Sequence, residues 1–405
     1  MNIIADENMP NAEALFSHLG QVTLVNGRTL TSALVKNADV LLVRSVTKVT
    51  EELLAGSAVK FVGSATIGVD HIDLPYLAKA SIAFTSAPGC NAEAVADYVF
   101  SGLSHLYMTK KQSWLTKKIG IVGYGNVGKT VYQRFAGLGC DVCVYDPFKE
   151  MEQSDPNRNA IDDNVRFVGL DDVLACGVIC LHAPLTASGD YPTQNMISEQ
   201  ALALIAPGTI IVSAGRGGII DEPALIERHR QLNGNLHLVM DVWKGEPSIN
   251  KDLLHIADIA TPHIAGYSKQ GREKGTLMVY QGLCQYLSKL NSGLSLDKEA
   301  VLGETFLSKG WLSHINIQNY GCFEEVLARG IQAVYDVARD DARLRFKYRE
   351  NTADSTFDWL RKHYVERDEF NTCTVSTDDI KADRLFEAVS FSTDSLHDSL
   401  VNHKK

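Results

Sequence analysis

The chain has 405 residues, 45% of them hydrophobic and 22% charged, a composition typical of a globular protein of about two or three domains. Its net charge of −10 argues against a nucleic-acid partner or an anionic membrane. We expect a cytoplasmic protein, since no signal peptide precedes the first predicted strand and no apolar run approaches membrane-spanning length. Eight cysteines in so long a chain predict no disulfide scaffold, and we predict no metal site.

Residues 1–90 alternate short apolar runs with helix-like stretches, the pattern of a parallel sheet with helices on its faces. We predict strands at residues 2–5, 21–25, 40–43, 59–63 and 82–85. Arg44 and Ser45 follow the third strand, and Thr66 follows the fourth. Ligands bind at the carboxyl ends of parallel strands, so these side chains could contact an anionic substrate. Ordinary turn chemistry explains the same residues equally well.

A long helix is predicted over residues 91–110, and a strand, a glycine-rich turn and a second helix follow it. The turn has the G-x-G-x-x-G spacing, which permits a tight turn, close approach of backbone to a pyrophosphate, and packing of helix on strand. The free N–H groups of the helix N-terminus would bind the same anion. The candidate cofactor-binding residues of this turn are Gly123, Gly125, Asn126, Val127 and Gly128.

The next predicted strand ends in Asp146. A carboxylate at this place accepts hydrogen bonds from a ribose diol and repels the 2′-phosphate of NADP. NAD is therefore the predicted cofactor. The alternative is a structural strand, turn and helix followed by an incidental acid.

We predict a polar surface loop over residues 151–164 and further strands at 166–168, 178–181, 209–213, 236–240 and 258–260. Three loops after these strands carry side chains suited to chemistry: Arg216, Glu246 and His263. A guanidinium can grip a carboxylate bidentately and polarise an adjacent carbonyl. A histidine held by a carboxylate is oriented to take a proton from a hydroxyl as hydride leaves. A surface arginine and a structural histidine are the alternatives.

Residues 269–290 are predicted to be helical, and the character of the chain changes after them. Residues 291–405 mix charged stretches, short strands at 311–317 and 372–376, and helices at 324–337, 356–363 and 382–388. Oligomerisation is the commonest use of such a small α+β segment.

Several motifs resemble, in order and spacing, the D-isomer-specific 2-hydroxyacid dehydrogenases over residues 1–290. They are the glycine turn with Asp146, His-Ala-Pro-Leu at 182–185, Ala-Gly-Arg-Gly at 214–217, Asp-Val-Trp at 241–243 with Glu-Pro at 246–247, and Pro-His at 262–263. The resemblance implies an α/β fold in which a Rossmann NAD-binding domain, residues 96–265, is inserted in a flavodoxin-like substrate-binding domain, residues 1–95 with 266–290. It further implies that residues 291–405 form a C-terminal α+β dimerisation domain and that the protein is a homodimer.

The family's functional residues can be carried over position by position. Its catalytic arginine, glutamate and histidine fall on Arg216, Glu246 and His263. Its cofactor contacts outside the glycine turn fall on Asp146, Ala183, Ala214, Gly215, Arg216, Asp241 and Gly266. Relatives often have threonine where Ala183 stands, so only a backbone contact is expected there. Its substrate contacts fall on Ser45, Thr66 and Tyr267. Arg44 is a candidate for part of a phosphate site. Basic residues of segment 343–349 could add positive charge to that site from a partner subunit.

Within the family, the stretches 44–47, 63–73 and 262–268 and the C-terminal extension imply a phosphorylated 2-hydroxy acid as the small-molecule substrate. The expected reaction is oxidation of 4-phospho-D-erythronate at C2, with NAD⁺ as the oxidant. Two alternatives stay open: another dehydrogenase of the family, such as one that acts on 3-phosphoglycerate, and an NAD-sensing, corepressor-like binding protein that keeps the same residues.

Overall fold

The computed structural model describes residues 1–154, 164–290, 307–318, 321–350 and 355–394 of the chain. Contacts between residues divide the chain into two compact units. The first consists of residues 1–92 and 268–309, and the second of residues 93–267 and 310–405. The division into three domains that the resemblance implies stays a prediction.

Strands and helices alternate in residues 1–92. In chain order they are β1 (Asn2–Asp6), α1 (Ala12–Phe16), β2 (Gln21–Val25), α2 (Ser32–Val35), β3 (Val40–Val43), α3 (Glu51–Leu54), β4 (Phe61–Ser64), α4 (Leu74–Lys79) and β5 (Ala83–Thr85). All residues of β3 and β4 are buried, as expected for parallel strands that are covered on both faces.

The middle of the chain continues the alternation and ends in a long helix. Its elements are α5 (Ala92–Lys110), β6 (Ile119–Val122), α6 (Asn126–Gly137), β7 (Val142–Tyr145), α7 (Pro147–Ser154), α8 (Leu170–Leu174), β8 (Val178–Leu181), α9 (Glu199–Ala203), β9 (Thr209–Ser213), α10 (Glu222–Gln231), β10 (Leu236–Met240), α11 (Lys251–Ile256), β11 (Ile259–Ala260) and α12 (Lys269–Leu290).

The described C-terminal residues are mostly helical. They form β12 (His314–Ile317), α13 (Phe323–Val334), α14 (Ala338–Glu350), α15 (Ser355–Lys362), a 3₁₀ turn (Phe370–Thr372), β13 (Thr374–Thr377), α16 (Ile380–Ala388) and β14 (Ser392–Thr393). No helix among the residues described here is both long enough and apolar enough to cross a membrane.

The first unit is built on a five-stranded parallel sheet of order β2-β1-β3-β4-β5. This is the doubly wound order of flavodoxin-like folds. One face packs on α1 and α12, through a cluster that includes Phe16, Phe61, Val279 and Tyr280. A Cβ atom at Gly63 of β4 would overlap the side chain of Val279, so a glycine is needed for α12 to lie this close to the sheet.

The second unit contains a six-stranded parallel sheet of order β11-β10-β9-β8-β6-β7. Phe167 extends it by a parallel bridge to Val144 of β7. The chain adds β7 on one side of β6 and then crosses over to add β8 on the other side. Such a switch point is where open α/β sheets bind ligands. The predicted α/β architecture with parallel sheets is confirmed.

The C-terminal residues share a core with this sheet. Leu327, Ile331, Phe370 and Phe386 belong to the same buried cluster as Phe135 of α6. A polar network reinforces the contact. The buried Asp97 of α5 accepts a hydrogen bond from Arg134 Nη1 of α6 at 2.7 Å through one carboxylate oxygen, and from the backbone N–H of Phe370 at 3.1 Å through the other.

Most predicted elements agree with the structure to within a few residues, two agree only in part, and one C-terminal helix was not predicted. The predicted loop over 151–164 is wrong for residues 151–154, which belong to α7, and residues 155–163 lie outside the described residues. The strand predicted over 311–317 begins only at His314. Helix α14 had no sequence prediction.

Candidate active site

The glycine turn joins β6 to α6. Gly123 has a φ of +90°, which side-chain-bearing residues rarely adopt, and its N–H donates to Tyr145 O at 2.9 Å. A Cβ atom at Gly128 would overlap the Gly123 carbonyl, so both positions are explained by packing within the chain. Gly125 is different, because a Cβ atom there would meet no protein atom within 4 Å. The fold itself does not require that glycine, which fits a need for close approach by a cofactor pyrophosphate.

Asp146 follows β7 and its carboxylate holds the glycine turn. Oδ2 accepts a hydrogen bond from the N–H of Tyr124 at 2.7 Å, and Oδ1 accepts one from the N–H of Lys149 at 3.1 Å. The acid that was predicted to face the ribose therefore lies against the turn that was predicted to face the pyrophosphate. Asn126 and Val127 open helix α6, whose N-cap residue, Gly125, provides no side-chain hydrogen bond to the first-turn N–H groups.

The loops that follow β6, β8, β9 and β10 contact one another, each touching the loop of the strand next to it in the sheet. A Cβ atom at Gly123 would lie 2.7 Å from Ala183 N, and one at Gly215 would lie 3.0 Å from the Cα atom of His182. One at Gly217 would overlap the Trp243 carbonyl. The predicted cofactor residues Ala183, Ala214 and Gly215 therefore lie on neighbouring loops at one edge of the sheet.

Glu246 and His263 form the pair that the sequence suggested. His263 Nδ1 lies 2.8 Å from Glu246 Oε2, and Glu246 Oε1 accepts a hydrogen bond from the N–H of Trp243 at 2.9 Å. The two side chains are 28% and 20% exposed, so both can be reached from solvent. Among the described residues none is hydrogen-bonded to His263 Nε2, which leaves this nitrogen for a ligand.

The loop that carries His263 is fixed by Asp241. The Asp241 carboxylate, which is buried, accepts hydrogen bonds from Thr261 Oγ1 at 2.7 Å and from the N–H groups of Ile264 and Ala265 at 2.7 and 2.9 Å. The Asp241 carbonyl accepts a further bond from the His263 N–H at 2.8 Å. His263 has a φ of +56°, a strained backbone conformation that is retained at functional sites when the surroundings enforce it.

Burial changes the pKa of two groups near this edge of the sheet. It raises the pKa of Asp241, against the opposing charge of His263 and the hydrogen bonds the carboxylate accepts. It lowers the pKa of His182, whose ring nitrogens are both buried without a hydrogen-bond partner among the described residues, to about 4. His182 is therefore neutral at pH 7, and Asp241 acts here as a brace of the histidine loop.

Arg216 is exposed, and the bond found for it is from Nη1 to the carbonyl of its own neighbour, Gly215, at 2.9 Å. Its guanidinium keeps donors available for an anion, because arginine has five. Its loop contacts the loop that contains Trp243 and leads to Glu246, through Gly217. A direct pairing comparable to that of Glu246 with His263 is not present for Arg216 in the described residues.

Gly266 and Tyr267 complete the histidine loop. The Tyr267 N–H donates to Ile264 O at 2.8 Å, and its ring meets Tyr364 edge-on with a centroid separation of 5.6 Å. Arg361 of α15 places its guanidinium 6.0 Å from the Tyr267 ring centroid. Burial alone would lower the pKa of Arg361, but its interactions with Tyr267 and the Glu246 carboxylate outweigh burial, and the pKa lies above its usual value.

Arg361 was not predicted as a site residue. It lies 115 positions from Glu246 in a charged helix, and no sequence motif connects the two. Arg345, in the basic segment 343–349 that was considered for a phosphate site, donates instead to Leu254 O at 2.7 Å and Ala257 O at 2.8 Å. Arg345 therefore uses these donors within its own chain, and a contribution of segment 343–349 to the site of a partner subunit stays a prediction. The side chain of Arg349 lies outside the described residues.

The remaining predicted residues lie in the first unit. Arg44 and Ser45 follow β3, and Thr66 follows the adjacent strand β4. Arg44 Nη1 donates to Asn8 O at 3.1 Å. Thr66 Oγ1 donates to Gly68 O at 2.9 Å and lies 2.6 Å from Ser64 Oγ, while Ser45 is exposed. These side chains are available at the carboxyl edge of the first sheet, where ligands of such folds bind.

Comparison with known proteins agrees with this site. Residues 103–265 match the family model of the D-isomer specific 2-hydroxyacid dehydrogenase NAD binding domain, and residues 306–389 match a domain of unknown function (DUF3410). NAD, the cofactor predicted from the glycine turn and Asp146, is confirmed by the family match. The chain is an NAD-dependent dehydrogenase.

Relatives extend the match to nearly the whole chain. The chain is 65% identical over 395 residues to an erythronate-4-phosphate dehydrogenase of Marinomonas sp. (strain MWYL1), covering 98% of this chain and 100% of the relative. An enzyme of the same name from Marinobacter nauticus is 44% identical, with 93% and 94% covered. The solved NAD⁺-bound 3-phosphoglycerate dehydrogenase of Entamoeba histolytica is 25% identical, with a TM-score of 0.57 and 73% and 98% covered. The chain therefore belongs to the erythronate-4-phosphate dehydrogenase family, among the D-isomer-specific 2-hydroxyacid dehydrogenases.

Proposed function

We propose that this chain catalyses the NAD-dependent oxidation of 4-phospho-D-erythronate to (R)-3-hydroxy-2-oxo-4-phosphooxybutanoate, a step of pyridoxal 5′-phosphate (vitamin B6) biosynthesis. The observation that carries the proposal is the Glu246–His263 pair, 2.8 Å apart, in a chain 65% identical to a relative named for this substrate. The pair indicates the reaction class, and the near-complete coverage of that relative supports the substrate.

In the proposed mechanism, His263 Nε2 takes the proton from the C2 hydroxyl of the substrate. Glu246 binds Nδ1, fixes the orientation of the ring and stabilises the imidazolium that forms. Arg216 binds the C1 carboxylate and polarises the oxygen that becomes the carbonyl. Each role uses an atom that the geometry leaves available: the unbonded Nε2 and the exposed guanidinium.

The chain's own residues fit NAD. The glycine turn and the N-terminus of α6 would hold the pyrophosphate, and Asp146 would hold the ribose diol. Backbone groups of Ala183, the 214–216 loop, Asp241 and Gly266 are the other proposed contacts. When bound, NAD⁺ accepts the hydride that leaves C2, so that the proton on His263 and the hydride together account for the oxidation.

Substrate binding is proposed for Ser45, Thr66 and Tyr267, with Arg44 contributing to a phosphate site. The Ser45 hydroxyl can donate to phosphate or carboxylate oxygens, whereas the Thr66 hydroxyl would have to give up its hydrogen bond to Gly68 O to do so. Residues 1–95 with 266–290 are proposed as the substrate-binding part and residues 96–265 as the NAD-binding part of the chain.

We further propose a cytoplasmic homodimer, assembled through residues 291–405. The described part of this segment leaves large apolar side chains exposed, among them Trp311 at 91%, Val365 at 62% and Phe346 at 58%. Phe346 and Val365 lie together and line one cavity with Trp359, and a contiguous apolar patch favours an interface. Light scattering combined with size-exclusion chromatography tests the assembly, and a mass of 44.4 kDa, that of one chain, would contradict it.

The alternative substrate, 3-phosphoglycerate, requires the same catalytic residues and the same kind of anion site. An NAD-sensing, corepressor-like protein also keeps these residues, and turnover separates it from an enzyme. The near-complete coverage of the 65% identical relative, which includes the C-terminal segment, favours 4-phosphoerythronate.

The deciding experiment is a single-turnover measurement of NADH absorbance with excess enzyme. 4-Phospho-D-erythronate and 3-phosphoglycerate are compared, each with and without an added 2-oxo acid that could reoxidise a retained NADH. His263→Ala serves as the chemical control, because it should still bind NAD. We expect a full burst with phosphoerythronate, none with phosphoglycerate and none with the variant. A burst with phosphoglycerate alone supports the alternative enzyme, and no burst in a protein that binds NAD supports the sensor.

A further inference from the structure

Three side chains of the first unit form a continuous chain of hydrogen bonds that leads to Thr66. His71 Nε2 lies 2.9 Å from Ser64 Oγ, and Ser64 Oγ lies 2.6 Å from Thr66 Oγ1. Thr66 Oγ1 in turn donates to Gly68 O at 2.9 Å. His71 was not predicted as a site residue, yet the fold connects its imidazole to a hydroxyl that is proposed to contact the substrate.

The backbone holds all three side chains in place. Ser64 is the last residue of β4 and is buried. The Val49 N–H donates to the His71 carbonyl at 2.8 Å, and the Ala87 N–H donates to the Thr66 carbonyl at 3.0 Å. Because each member is anchored through its main chain, the network is present before any ligand arrives.

The number of available protons determines the direction of every bond in this network. A carbonyl oxygen can only accept, so the single hydroxyl proton of Thr66 points to Gly68 O. Thr66 Oγ1 must therefore accept from Ser64, and Ser64, whose one proton is then used, must accept from His71 Nε2. The imidazole consequently carries a proton on Nε2. With Nε2 unprotonated, Ser64 would donate to His71, and Thr66 would have to leave Gly68 O to donate to Ser64.

The position of the proton on the imidazole depends on Ser64. Burial lowers the pKa of His71, against the opposing charge of Asp70, so the ring is neutral at pH 7 and has one N–H proton. Among the described residues none is hydrogen-bonded to His71 Nδ1. Ser64 is thus the protein group that selects the nitrogen on which this proton lies.

We propose that His71 is a positioning residue for substrate binding and that it acts through Ser64 to make Thr66 a donor to an anionic oxygen of the substrate. Because Ser64 donates to Thr66 Oγ1, the Thr66 proton can point only to Gly68 O or to a ligand. An anionic oxygen is a stronger acceptor than a carbonyl, so the proton turns to the ligand while the other two bonds persist and polarise one another. The role of Thr66 rests on the proposed function, whereas the network rests on the measured distances.

A double-mutant cycle tests whether His71 acts through Thr66. Thr66→Val removes the hydroxyl at constant shape, His71→Leu removes the donor to Ser64, and His71→Gln keeps an N–H donor. We expect KM for 4-phospho-D-erythronate to rise about tenfold in Thr66→Val and about 3- to 10-fold in His71→Leu, with kcat within about twofold of the wild-type value. The double variant should match Thr66→Val, and His71→Gln should recover most of the loss.

His18→Leu is the matched control. His18 Nε2 also lies near a hydroxyl of the first unit, 3.2 Å from Tyr280 Oη, but its partner is on α12 instead of in the Thr66 network. Its KM should equal that of the wild type. D-Erythronate, which lacks the phosphate, identifies the oxygen: the KM effect of Thr66→Val disappears if Thr66 binds phosphate and persists if it binds the carboxylate. Far-UV circular dichroism and NAD affinity establish that each variant is folded.

Nitrogen NMR of the histidine side chains provides a readout that needs no substrate. The His71 signals, identified by their loss in His71→Gln, should show a protonated Nε2 and an unprotonated Nδ1 near pH 7. Ser64→Ala removes the group that selects this tautomer, so the preference for Nε2 should weaken in that variant.

The outcomes separate this inference from the proposed function. If the wild type oxidises phosphoerythronate but the two single substitutions add in the double variant, or if His71 carries its proton on Nδ1, the inference is refuted and the function stands. If the wild type oxidises only 3-phosphoglycerate, the proposed substrate is wrong, and the same cycle with that acid decides the role of His71. Oxidation of neither acid overturns both.

Discussion

Glu246 Oε2 lies 2.8 Å from His263 Nδ1, while Glu246 Oε1 is held by the Trp243 N–H at 2.9 Å. The carboxylate is thus fixed at both oxygens, and it fixes the imidazole in turn. Because Nδ1 is occupied, the ring can exchange a proton with a substrate only through Nε2. The pair therefore determines how the imidazole ring is oriented and which of its nitrogens exchanges the proton.

Substitutions of Glu246 or His263 should lower kcat strongly and leave the affinity for NAD nearly unchanged. His263→Ala removes the base and should lower kcat by about 10²- to 10⁴-fold, the usual contribution of general acid–base catalysis. Glu246→Gln keeps a group of the same shape near Nδ1 but loses the charge that stabilises the imidazolium, so a smaller loss of kcat is expected. Stopped-flow NADH formation measures both, and NAD affinity from fluorescence titration should stay near the wild-type value. A near-normal kcat for His263→Ala would remove His263 from the mechanism.

Asp146 should determine cofactor choice, and two variants separate its two tasks. Asp146→Asn keeps an oxygen that can accept from the Tyr124 N–H but loses the charge, so it should weaken discrimination against NADP about tenfold or more with little change in stability. Asp146→Ala also leaves the Tyr124 N–H without its acceptor, which should cost about 1 kcal/mol of unfolding free energy. The ratio of kcat/KM for NAD and NADP measures the first effect, and urea unfolding measures the second. An unchanged ratio in both variants would contradict the ribose contact.

His182 should make the protein acid-sensitive. Burial lowers its pKa from 6.5 to about 4, whereas the unfolded chain titrates near the ordinary value. Between these two values the unfolded state binds more protons than the folded state, so stability falls as pH drops from 6.5 to 4. The slope is at most about 1.4 kcal/mol per pH unit.

His182→Gln cannot titrate and tests this linkage. The difference in unfolding free energy between the wild type and the variant, measured by urea titration at several pH values, should change steadily over that interval and be constant above pH 7. A pH-independent difference would show that the imidazole is not held neutral by burial.

Asp97 should be essential to stability. Its carboxylate accepts from Arg134 Nη1 and the Phe370 N–H, and Arg367 lies nearby, with Nη1 3.8 Å from Asp97 Oδ2. Asp97→Ala removes one of two ion pairs of the buried Arg134, which also pairs with Glu93, together with the carboxylate beside the buried Arg367. Breaking a buried ion pair typically costs about 3–5 kcal/mol. Glu227→Gln, which breaks the exposed ion pair with Arg230, is the control and should leave the denaturant midpoint unchanged. Equal midpoints for both variants would contradict the assigned importance of the network.

The features that could be predicted from the sequence are those whose signals lie close together in the chain. The glycine turn, the strand ending in Asp146 and the loops with Glu246 and His263 each lie within a few residues of a buried strand, where periodicity is a strong signal. Helix α14 was missed because its contacts are to distant residues: Arg345 donates to the carbonyls of Leu254 and Ala257, and Asp341 accepts from the Ala260 N–H. Arg361 was missed for the same reason, since its neighbours Tyr267 and Glu246 lie far away in the chain.

The buried network of Asp97, Arg134 and Phe370 also means that the core around α5 and α6 cannot form fully until the C-terminal residues have been synthesised. Domains usually fold from the N-terminus as they leave the ribosome. Here α5 and α6 bury apolar side chains against Phe370 and Phe386, which are made more than 200 residues later. A nascent chain that has already produced every proposed NAD contact would still lack the far side of its core. Its cofactor affinity should reach the final value only after these residues have been made, because until then the apolar faces of α5 and α6 are not covered.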